Sequence, residues 1–203
     1  IDSGADNGKM ERCLDRYLPF WDKKIEAVVI SHWDKDHGGA LPKIMNNYQI
    51  ERLFESGLSE EGVEQKSYTE ILRAGDIVRY GEIYFEVIYP GENLGNGNES
   101  SLVIVLNYGD KKFMFTGDVD RAGEGEMMTW WQEGVEGIKI SHHGSDSGGS
   151  EDWLKRIKPA VAVISVGENS YGHPKEIVLE RLKQSGVKIL RTDLLGDITL
   201  GWD

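Results

Sequence analysis

The stretch SHWDKDHGG, residues Ser31 to Gly39, places two histidines and two aspartates within six residues. It directly follows the apolar run IEAVVI, which is typical of a strand buried on both faces. Imidazole and carboxylate groups are common ligands for zinc, manganese and iron in proteins. The paired glycines at the end of the stretch give the backbone room to turn into a following helix. The stretch therefore predicts a metal-binding loop at the end of a buried strand.

Three further segments show the same pattern of a predicted strand that ends in ligand-type side chains. FMFTGDV contains Asp118, IKISHHGS contains the pair His142 and His143, and VISVGENSYGHP leads to His173. All five histidines of the chain therefore follow predicted buried strands. Ligands gathered from several strand ends form a metal site, and this set exceeds what one tetrahedral ion needs. The pattern favours two ions that share a carboxylate, with Asp118 as the candidate bridge.

The composition is that of a globular chain and excludes several classes of protein. The chain has 203 residues, of which 39% are hydrophobic and 29% are charged, and we expect a single domain over 1–203. No apolar run approaches the roughly 20 residues of a membrane-spanning helix. The single cysteine, Cys13, excludes an internal disulfide and a thiolate-rich zinc site.

The net charge limits the partners that the chain is expected to bind. The formal charge is -12 at pH 7, and an acidic surface repels nucleic-acid phosphates at long range. This argues against a general nucleic-acid-binding module. A nuclease stays open, because bound divalent metal ions reverse the sign of the field locally.

The apolar patterns predict sheets that are covered by helices. The first part of the chain mixes helices with hairpins and the second part alternates strand and helix, which indicates an α/β layered sandwich. Tight turns are expected at 81–82 and 109–110, and a Gly/Asn-rich loop at 91–100. Helices are predicted near residues 9–20, 38–47, 124–131, 151–157 and 174–184. Strands are predicted near residues 25–31, 50–55, 77–80, 83–89, 101–107, 112–116, 137–141, 160–166, 187–191 and 197–201.

Taken together, the motifs resemble those of a known fold family. HxDxDH at 32–37, TGD at 116–118, HHGS at 142–145 and YGHP at 171–174 look like the metallo-β-lactamase fold. More narrowly, they are similar to the hydrolase domain at the C-terminal end of the ComEC/Rec2 competence proteins. That subgroup shares the aspartate Asp34, where the wider superfamily carries a second histidine.

Motifs near both ends extend the resemblance over nearly the whole chain. IDSG at 1–4 resembles the family's first motif, 98–102 resembles an N-x-S-S-L element, and RTDLLGDITL at 191–200 resembles a closing segment. The resemblance implies an α/β fold of the αββα sandwich type. Its N-terminal strands are expected to precede Ile1, outside this sequence, which would leave a sheet edge able to pair with another chain.

The resemblance also implies hydrolysis by a hydroxide that is bridged between two divalent metal ions, zinc or manganese. The carboxylate at position 34 makes the ligand set richer in oxygen, which favours manganese. We expect one ion to be held by His32, Asp34 and one histidine of the HHGS pair, and the other by Asp36, His37 and His173, with Asp118 between them.

Other roles follow from the same resemblance. The remaining histidine of the HHGS pair would bind the scissile phosphate or protonate the leaving oxygen. The sequence leaves the two histidines interchangeable, and we assign His142 to the metal and His143 to the chemistry, together with Asp36 and Asp118. Asp2 would hydrogen-bond a metal ligand. Candidates for substrate contact are Trp33, expected at the pocket rim, and Ser145 and Asn169, for which loop capping is an equally good explanation.

The resemblance to competence proteins implies a phosphodiesterase or nuclease that acts on DNA during uptake. It further implies a membrane-channel domain in the same polypeptide and an extracytoplasmic, membrane-associated location; otherwise we expect a soluble cytoplasmic protein. No stable protein partner can be read from the sequence. One alternative is a small-substrate phosphodiesterase or esterase of the same fold. Another is a non-catalytic metal-binding accessory domain of a membrane channel, against which the complete ligand set argues.

Overall fold

Two β-sheets lie face to face between layers of helices, which confirms the predicted αββα sandwich. The computed structural model describes residues 1–56, 69–90 and 101–201. The predicted loop at 91–100, with Asn98 and Ser100 of the N-x-S-S-L element, lies outside these ranges. The smaller sheet is parallel and contains, in this order, β1 (Lys24–Ile30), β2 (Gln49–Glu55) and β3 (Thr69–Ile71).

The larger sheet supplies most of the strand ends that carry ligands. Within the described ranges its strands are β4 (Ile77–Tyr80), β5 (Ile83–Tyr89), β6 (Val103–Tyr108), β7 (Lys111–Phe115), β8 (Gly137–Lys139), β9 (Val161–Ile164) and β10 (Lys188–Arg191). Their spatial order is β10-β9-β8-β7-β6-β5-β4. Strands β4 to β7 are antiparallel neighbours, and β7 to β10 run parallel. The carboxyl ends of β7, β8 and β9 therefore meet at one edge.

Helices cover the outer face of each sheet. The smaller sheet carries α1 (Lys9–Tyr17) and α2 (Leu41–Asn47), and the larger sheet carries α3 (Arg121–Met128), α4 (Glu151–Ile157) and α5 (Glu176–Gln184). A short helix, α6 (Thr192–Leu195), follows β10. In the part of the chain that the structure describes, none of the helices has the length and apolarity needed to cross a membrane.

Apolar packing between the sheets fixes the position of the metal-binding loop. Val29 and Phe54 of the smaller sheet pack against Ile104 of β6 and against Leu102, which directly precedes this strand. Burying a side chain of this size stabilises the fold by about 1.5–3 kcal/mol. The N–H of Leu102 also donates to the carbonyl of Ser31, at 2.8 Å. The beginning of SHWDKDHGG is therefore held directly against the segment that leads into β6.

The burial of β1 differs from the prediction. Val29 and Ile30 are buried, whereas residues 24–28 are exposed or half-buried, so the expectation of a strand buried on both faces is wrong except at its end. The reason is that β1 is an edge strand of the smaller sheet in the described ranges. Beyond its pairing with β2, its carbonyl at Val29 accepts from the N–H of Asp2, at 2.7 Å.

Several boundaries also differ. Helix α3 begins at Arg121, earlier than predicted, because the Asp120 side chain accepts from the N–H groups of Ala122 and Gly123 and caps it. The strand predicted at 197–201 is wrong, since α6 forms before these residues and they pair with no sheet. The short strand β3 was not predicted.

Candidate metal centre

The ligand-bearing segments meet at one end of the sandwich. SHWDKDHGG leaves the end of β1, TGD follows β7, HHGS follows β8, and the loop after β9 carries His173. Parallel strands present their carboxyl ends at the same edge, where sites in α/β sheets are commonly built. The order of the larger sheet brings the ends of β7, β8 and β9 together, and packing between the two sheets adds the end of β1.

The carboxylate of Asp118 lies at the centre of the cluster. Its Oδ1 is 3.1 Å from Nε2 of His37. Its Oδ2 is 3.8 Å from Nε2 of His143, and 3.9 Å from Nε2 of both His32 and His142. One buried carboxylate thus faces the Nε2 atoms of four imidazoles. This geometry suits a carboxylate that is shared by two cations.

The imidazoles of His32 and His37 are both held through Nδ1, so that Nε2 points to Asp118. Nδ1 of His37 lies 2.9 Å from Oδ2 of Asp2. Nδ1 of His32 lies 3.1 Å from the hydroxyl of Ser31 and 3.3 Å from that of Ser101. Such partners fix the tautomer and orientation of a metal-binding histidine. Asp2 therefore contacts a candidate ligand, His37, and its predicted role stays a prediction.

The imidazoles of His142 and His143 also have Nδ1 partners that orient the ring. Nδ1 of His143 donates to the carbonyl of Ser165 at 2.6 Å, and Nδ1 of His142 lies 3.3 Å from the hydroxyl of Ser147. Since a carbonyl only accepts, Nδ1 of His143 carries a proton. Its Nε2 lies 3.0 Å from Oδ2 of Asp36. This nitrogen either carries a second proton and donates it to Asp36, or offers a lone pair to a cation that both side chains would bind.

Buried polar atoms without partners indicate that the cluster fits a metal ion. Nε2 of His32, Nε2 of His37 and Oδ1 of Asp118 are buried and have no hydrogen-bond partner among the described residues. Nε2 of His37 and Oδ1 of Asp118 lie 3.1 Å apart, an electrostatic contact that still leaves both atoms without a geometric hydrogen bond. Leaving such a group unpaired costs about 1–3 kcal/mol. A cation would satisfy all three, and their ligand atoms lie within 4.8 Å of one another, as do those of Asp36, His37 and His143.

The charges of the cluster are strongly coupled. Burial by itself lowers the pKa of His37, but the carboxylates of Asp118 and Asp2 outweigh it and raise this pKa to about 9. Burial and the neighbouring His37 lower the pKa of His32. Burial would raise the pKa of Asp118, yet His37 and Lys139 hold it far below its usual range. The His143 imidazole lowers the pKa of Asp36 to about 2. The carboxylates are therefore ionised and available as ligands at neutral pH.

The structure brings together most of the predicted ligands, but it exchanges two histidines. His143 rather than His173 lies beside Asp36 and His37, with 5.2 Å between the ring centroids of His37 and His143. His173 lies behind His142, with 5.7 Å between ring centroids, and makes no ion pair with Asp118 or Asp36 in the described ranges. Oδ2 of Asp34 is 3.6 Å from Nε2 of His32, as expected for one shared ion.

The three candidates for substrate contact have structural partners. Trp33 donates from Nε1 to Glu55 at 2.6 Å and packs on the core of the smaller sheet. Ser145 is buried and its hydroxyl accepts from Ser147. The Asn169 amide donates to the carbonyls of Gly167 and His173 and accepts from the N–H of His173. These contacts favour packing or loop capping for all three.

Several residues that support the site were not predicted. The hydroxyl of Ser31 contacts Asp2, His32 and His37, and Ser101 also accepts from the N–H of Asp118. Nζ of Lys139 lies 4.0 Å from Oδ1 of Asp118 and donates to the carbonyl of Gly117. Ser31 and Ser101 belong to motifs that the sequence analysis recognised, and Lys139 lies in the strand segment that leads to HHGS. Their place in these segments is the signal that could have identified them.

The backbone is strained at the ligands themselves. His142 and His143 have φ angles of 48° and 53°, and Asp2 has a φ angle of 56°. This left-handed conformation costs about 1–3 kcal/mol at a non-glycine residue and persists only where surrounding contacts impose it. Here Ser141 bonds through its hydroxyl to the carbonyl of Val119 and fixes the start of the turn. The turn aims two consecutive imidazoles at the same carboxylate.

Gly117 lets the segment after β7 approach β1 closely. It has a φ angle of +50°, and a Cβ added to it would lie 2.8 Å from the Cβ of Ser101 and 3.0 Å from the Cβ of Ser31. Any side chain would therefore push Asp118 away from the loop that carries His32 and His37. Gly109 has a similar φ angle of +58° but has nothing near the same position.

We expect Gly117→Ala to weaken metal binding, whereas Gly109→Ala should leave it unchanged. Both substitutions carry the backbone penalty of about 1–2 kcal/mol for a left-handed residue. The Gly117 variant alone adds a clash, which typically costs a further 1–3 kcal/mol or so. Thermal unfolding and Mn²⁺ titration of the two variants measure the difference. Equal Mn²⁺ affinity in both variants would contradict the close approach at Gly117.

Two concave spaces open beside the cluster. A cavity of about 430 Å³ is lined by Asp36, His37, His143 and Lys139 together with apolar side chains of β7. A groove of about 800 Å³ also includes Asp36 and His143 and extends along the loop that carries His173. The cluster is therefore reached from the side of Asp36 and His143.

Comparisons with known proteins find relatives of this chain. A model of the Metallo-beta-lactamase superfamily matches residues 1–168. ComE operon protein 3 of Bacillus subtilis (strain 168) is 30% identical over 189 residues, covering 87% of this chain and 24% of that protein. Competence protein ComA of Neisseria gonorrhoeae is 30% identical over 188 residues, covering 88% of this chain and 26% of that protein. The chain thus spans about a quarter of the length of these relatives.

A solved structure supports the fold. The metallo-beta-lactamase fold protein YhfI from Bacillus subtilis aligns with a TM-score of 0.58 over 95% of this chain and 82% of that one, at 10% sequence identity. At this identity the likeness concerns the fold alone. The helix–sheet–sheet–helix layers are therefore shared with proteins whose sequences are very different.

Proposed function

This chain belongs to the metallo-beta-lactamase superfamily, and we propose that it uses two divalent metal ions to hydrolyse phosphodiester bonds, with DNA as its substrate. The observation that carries the proposal is the Asp118 carboxylate, which faces the Nε2 atoms of four histidines. The resemblance of the motifs to the ComEC/Rec2 competence proteins, together with the relative named Competence protein ComA, supports DNA over other phosphodiesters.

We propose two ion positions with Asp118 shared between them. The contact of Asp34 with His32 supports the first position, and the contact of Asp36 with His143 supports the second. Zinc and manganese both suit the mixed nitrogen and oxygen ligands, and the high share of carboxylates favours manganese. The first ion would be held by His32, Asp34 and His142, and the second by Asp36, His37 and His143.

The side chains around the ions have separate tasks. When bound, divalent ions lower the pKa of a water ligand and polarise a phosphoryl oxygen. The Nδ1 partners Asp2, Ser31 and Ser165 hold the imidazoles so that each Nε2 stays available. Asp36 and His143 line the groove, so a substrate would approach from their side. His143 would then act on the scissile phosphate through the ion that it helps to hold, because its Nδ1 donates to Ser165 and its Nε2 faces that ion's position.

The acidic character of the site makes the proposed activity strictly dependent on metal. Asp2, Asp34, Asp36 and Asp118 gather four carboxylates at the cluster, and the chain as a whole has a formal charge of -12. Without cations this field repels a phosphodiester, whereas two divalent ions reverse its sign at the point of binding. We also propose that the chain acts beside a membrane-channel domain of the same polypeptide, as its resemblance to competence proteins implies.

We expect the purified chain to cleave single-stranded DNA when it is supplied with Mn²⁺ or Zn²⁺, and not after treatment with EDTA. The same preparations should be tested on bis-p-nitrophenyl phosphate, with bound metal measured in parallel. Turnover of the small ester without cleavage of DNA would favour the small-substrate alternative. No turnover of either substrate with both ions bound would contradict the enzyme proposal and favour an accessory metal-binding domain.

A further inference from the structure

We propose that Tyr171 is the surface on which a base of the substrate stacks beside the metal cluster. This inference rests on the proposed phosphodiesterase function and deepens it, because it identifies the residue that would hold a base of the DNA substrate. Base stacking on an aromatic side chain is tolerant of sequence and is a common way to bind single strands.

The Tyr171 ring is largely open to solvent. The residue is 75% exposed. The His173 ring lies beside it and nearly parallel to it, at an interplanar angle of 17° and a centroid distance of 5.9 Å, so the two rings are offset. An exposed ring that is aligned with a second ring has the form of a stacking platform.

A short chain of rings connects this platform to the proposed metal ligands. The His173 ring lies 5.7 Å from that of His142, and Nε2 of His142 lies 3.9 Å from Oδ2 of Asp118. Tyr171 also lines the same groove as Asp36 and His143. A strand with one phosphate at the cluster would therefore run along this groove toward Tyr171, where one of its bases would stack.

The loop that carries Tyr171 is organised before any substrate binds. Asn169 makes three hydrogen bonds within it, at 2.9, 2.9 and 3.0 Å, to Gly167 and to the backbone of His173. Nζ of Lys175 donates to the carbonyl of Tyr171 at 2.7 Å. Preorganisation of this kind reduces the entropy that is lost when a ligand binds. Asn169 therefore has a role in the groove as a support for Tyr171.

The charge of the groove favours stacking over phosphate contacts. Lys9 lines it, but so do Glu168, Asp193 and Asp197, in addition to Asp36. Affinity for a nucleic acid that depended on backbone charge would need a basic groove. Stacking depends on the face of the base and carries no such requirement. The groove is thus suited to a partner that it holds by a base at one end and by the metal cluster at the other.

The test compares an oligothymidylate with an oligomer of the same length made of abasic units, in the presence of Mn²⁺. We expect Tyr171→Ala to raise KM for the oligothymidylate about 10-fold and to leave KM for the abasic oligomer unchanged. Tyr171→Phe should behave as the wild type, because it keeps the ring. Tyr108→Ala, which removes another exposed tyrosine outside the groove, is the matched control. Fluorescence anisotropy of the labelled oligomers measures the same preference in binding.

The outcomes separate this inference from the proposed function. Equal effects of Tyr171→Ala on both oligomers, or no effect on either, would overturn the stacking role. If the wild type cleaves neither oligomer, the proposed function fails, and the binding measurement then decides the inference alone. Binding that prefers the oligothymidylate and loses this preference in Tyr171→Ala would uphold the platform. Binding without that preference would overturn it.

Discussion

Replacing Asp118 with asparagine is expected to remove both bound metal and phosphodiester hydrolysis. The substitution keeps the shape of the side chain but removes the charge that faces the Nε2 atoms of four histidines. Partners one step behind the ligands typically change metal affinity or activity by about 10–100-fold, so a shared ligand should have a larger effect. Metal content after dialysis and the rate on bis-p-nitrophenyl phosphate measure the two losses.

Asp120→Asn is a closely matched control for this change. It makes the same chemical substitution two residues away, where the side chain only caps α3 by accepting from Ala122 and Gly123. Asparagine caps a helix about as well as aspartate, so stability, metal content and rate should stay near those of the wild type. If Asp118→Asn kept two ions and full activity, Asp118 could not be the shared ligand.

Much of the site could be predicted because its chemistry is concentrated in short motifs. His32, Asp34, Asp36 and His37 lie in one loop, and a loop at a strand end has few ways to direct its side chains. Asp118 was predictable for a similar reason, since it ends the β6–β7 hairpin at a glycine. The layered fold was predicted because the first part of the chain mixes helices with hairpins and the second alternates strand and helix. The structure confirms this fold.

The roles of the later histidines could not be predicted, because they depend on contacts between distant segments. His143 reaches Asp36 through a left-handed turn at 142–143, and its Nδ1 partner is the carbonyl of Ser165. Neither the turn nor that partner is visible in the local pattern of residue types. In the sequence, His173 follows a strand as the other candidate ligands do. In the structure, its ring lies beside that of His142, at 5.7 Å between ring centroids, and not beside Asp118 or Asp36. The order of the motifs thus identified the segments that carry candidate ligands, whereas tertiary packing determines which of their histidines face Asp118 and Asp36.

The proton on His37 links metal binding to pH. Its pKa of about 9 in the folded protein lies above the ordinary value of 6.5, so folding takes up a proton between these pH values. The stability that this proton contributes is fully present below pH 6.5 and is lost as the pH rises through 9. A metal ion that uses Nε2 of His37 must displace the same proton. As the pH rises from 6.5 to 9, metal affinity therefore increases, whereas the stability of the metal-free fold decreases.

We expect Mn²⁺ affinity to rise about tenfold per pH unit from pH 6.5 to 9 and to level off above, with about one proton released per ion bound at His37. Calorimetry in buffers of different ionisation heat measures that proton. Asp2→Asn removes a carboxylate that raises the His37 pKa. In this variant, the pH above which Mn²⁺ affinity stops rising should therefore be lower. Asp6→Asn, which only breaks an exposed pair with Lys43, should leave the profile unchanged. A pH-independent affinity in the wild type would show that Nε2 of His37 does not bind the ion.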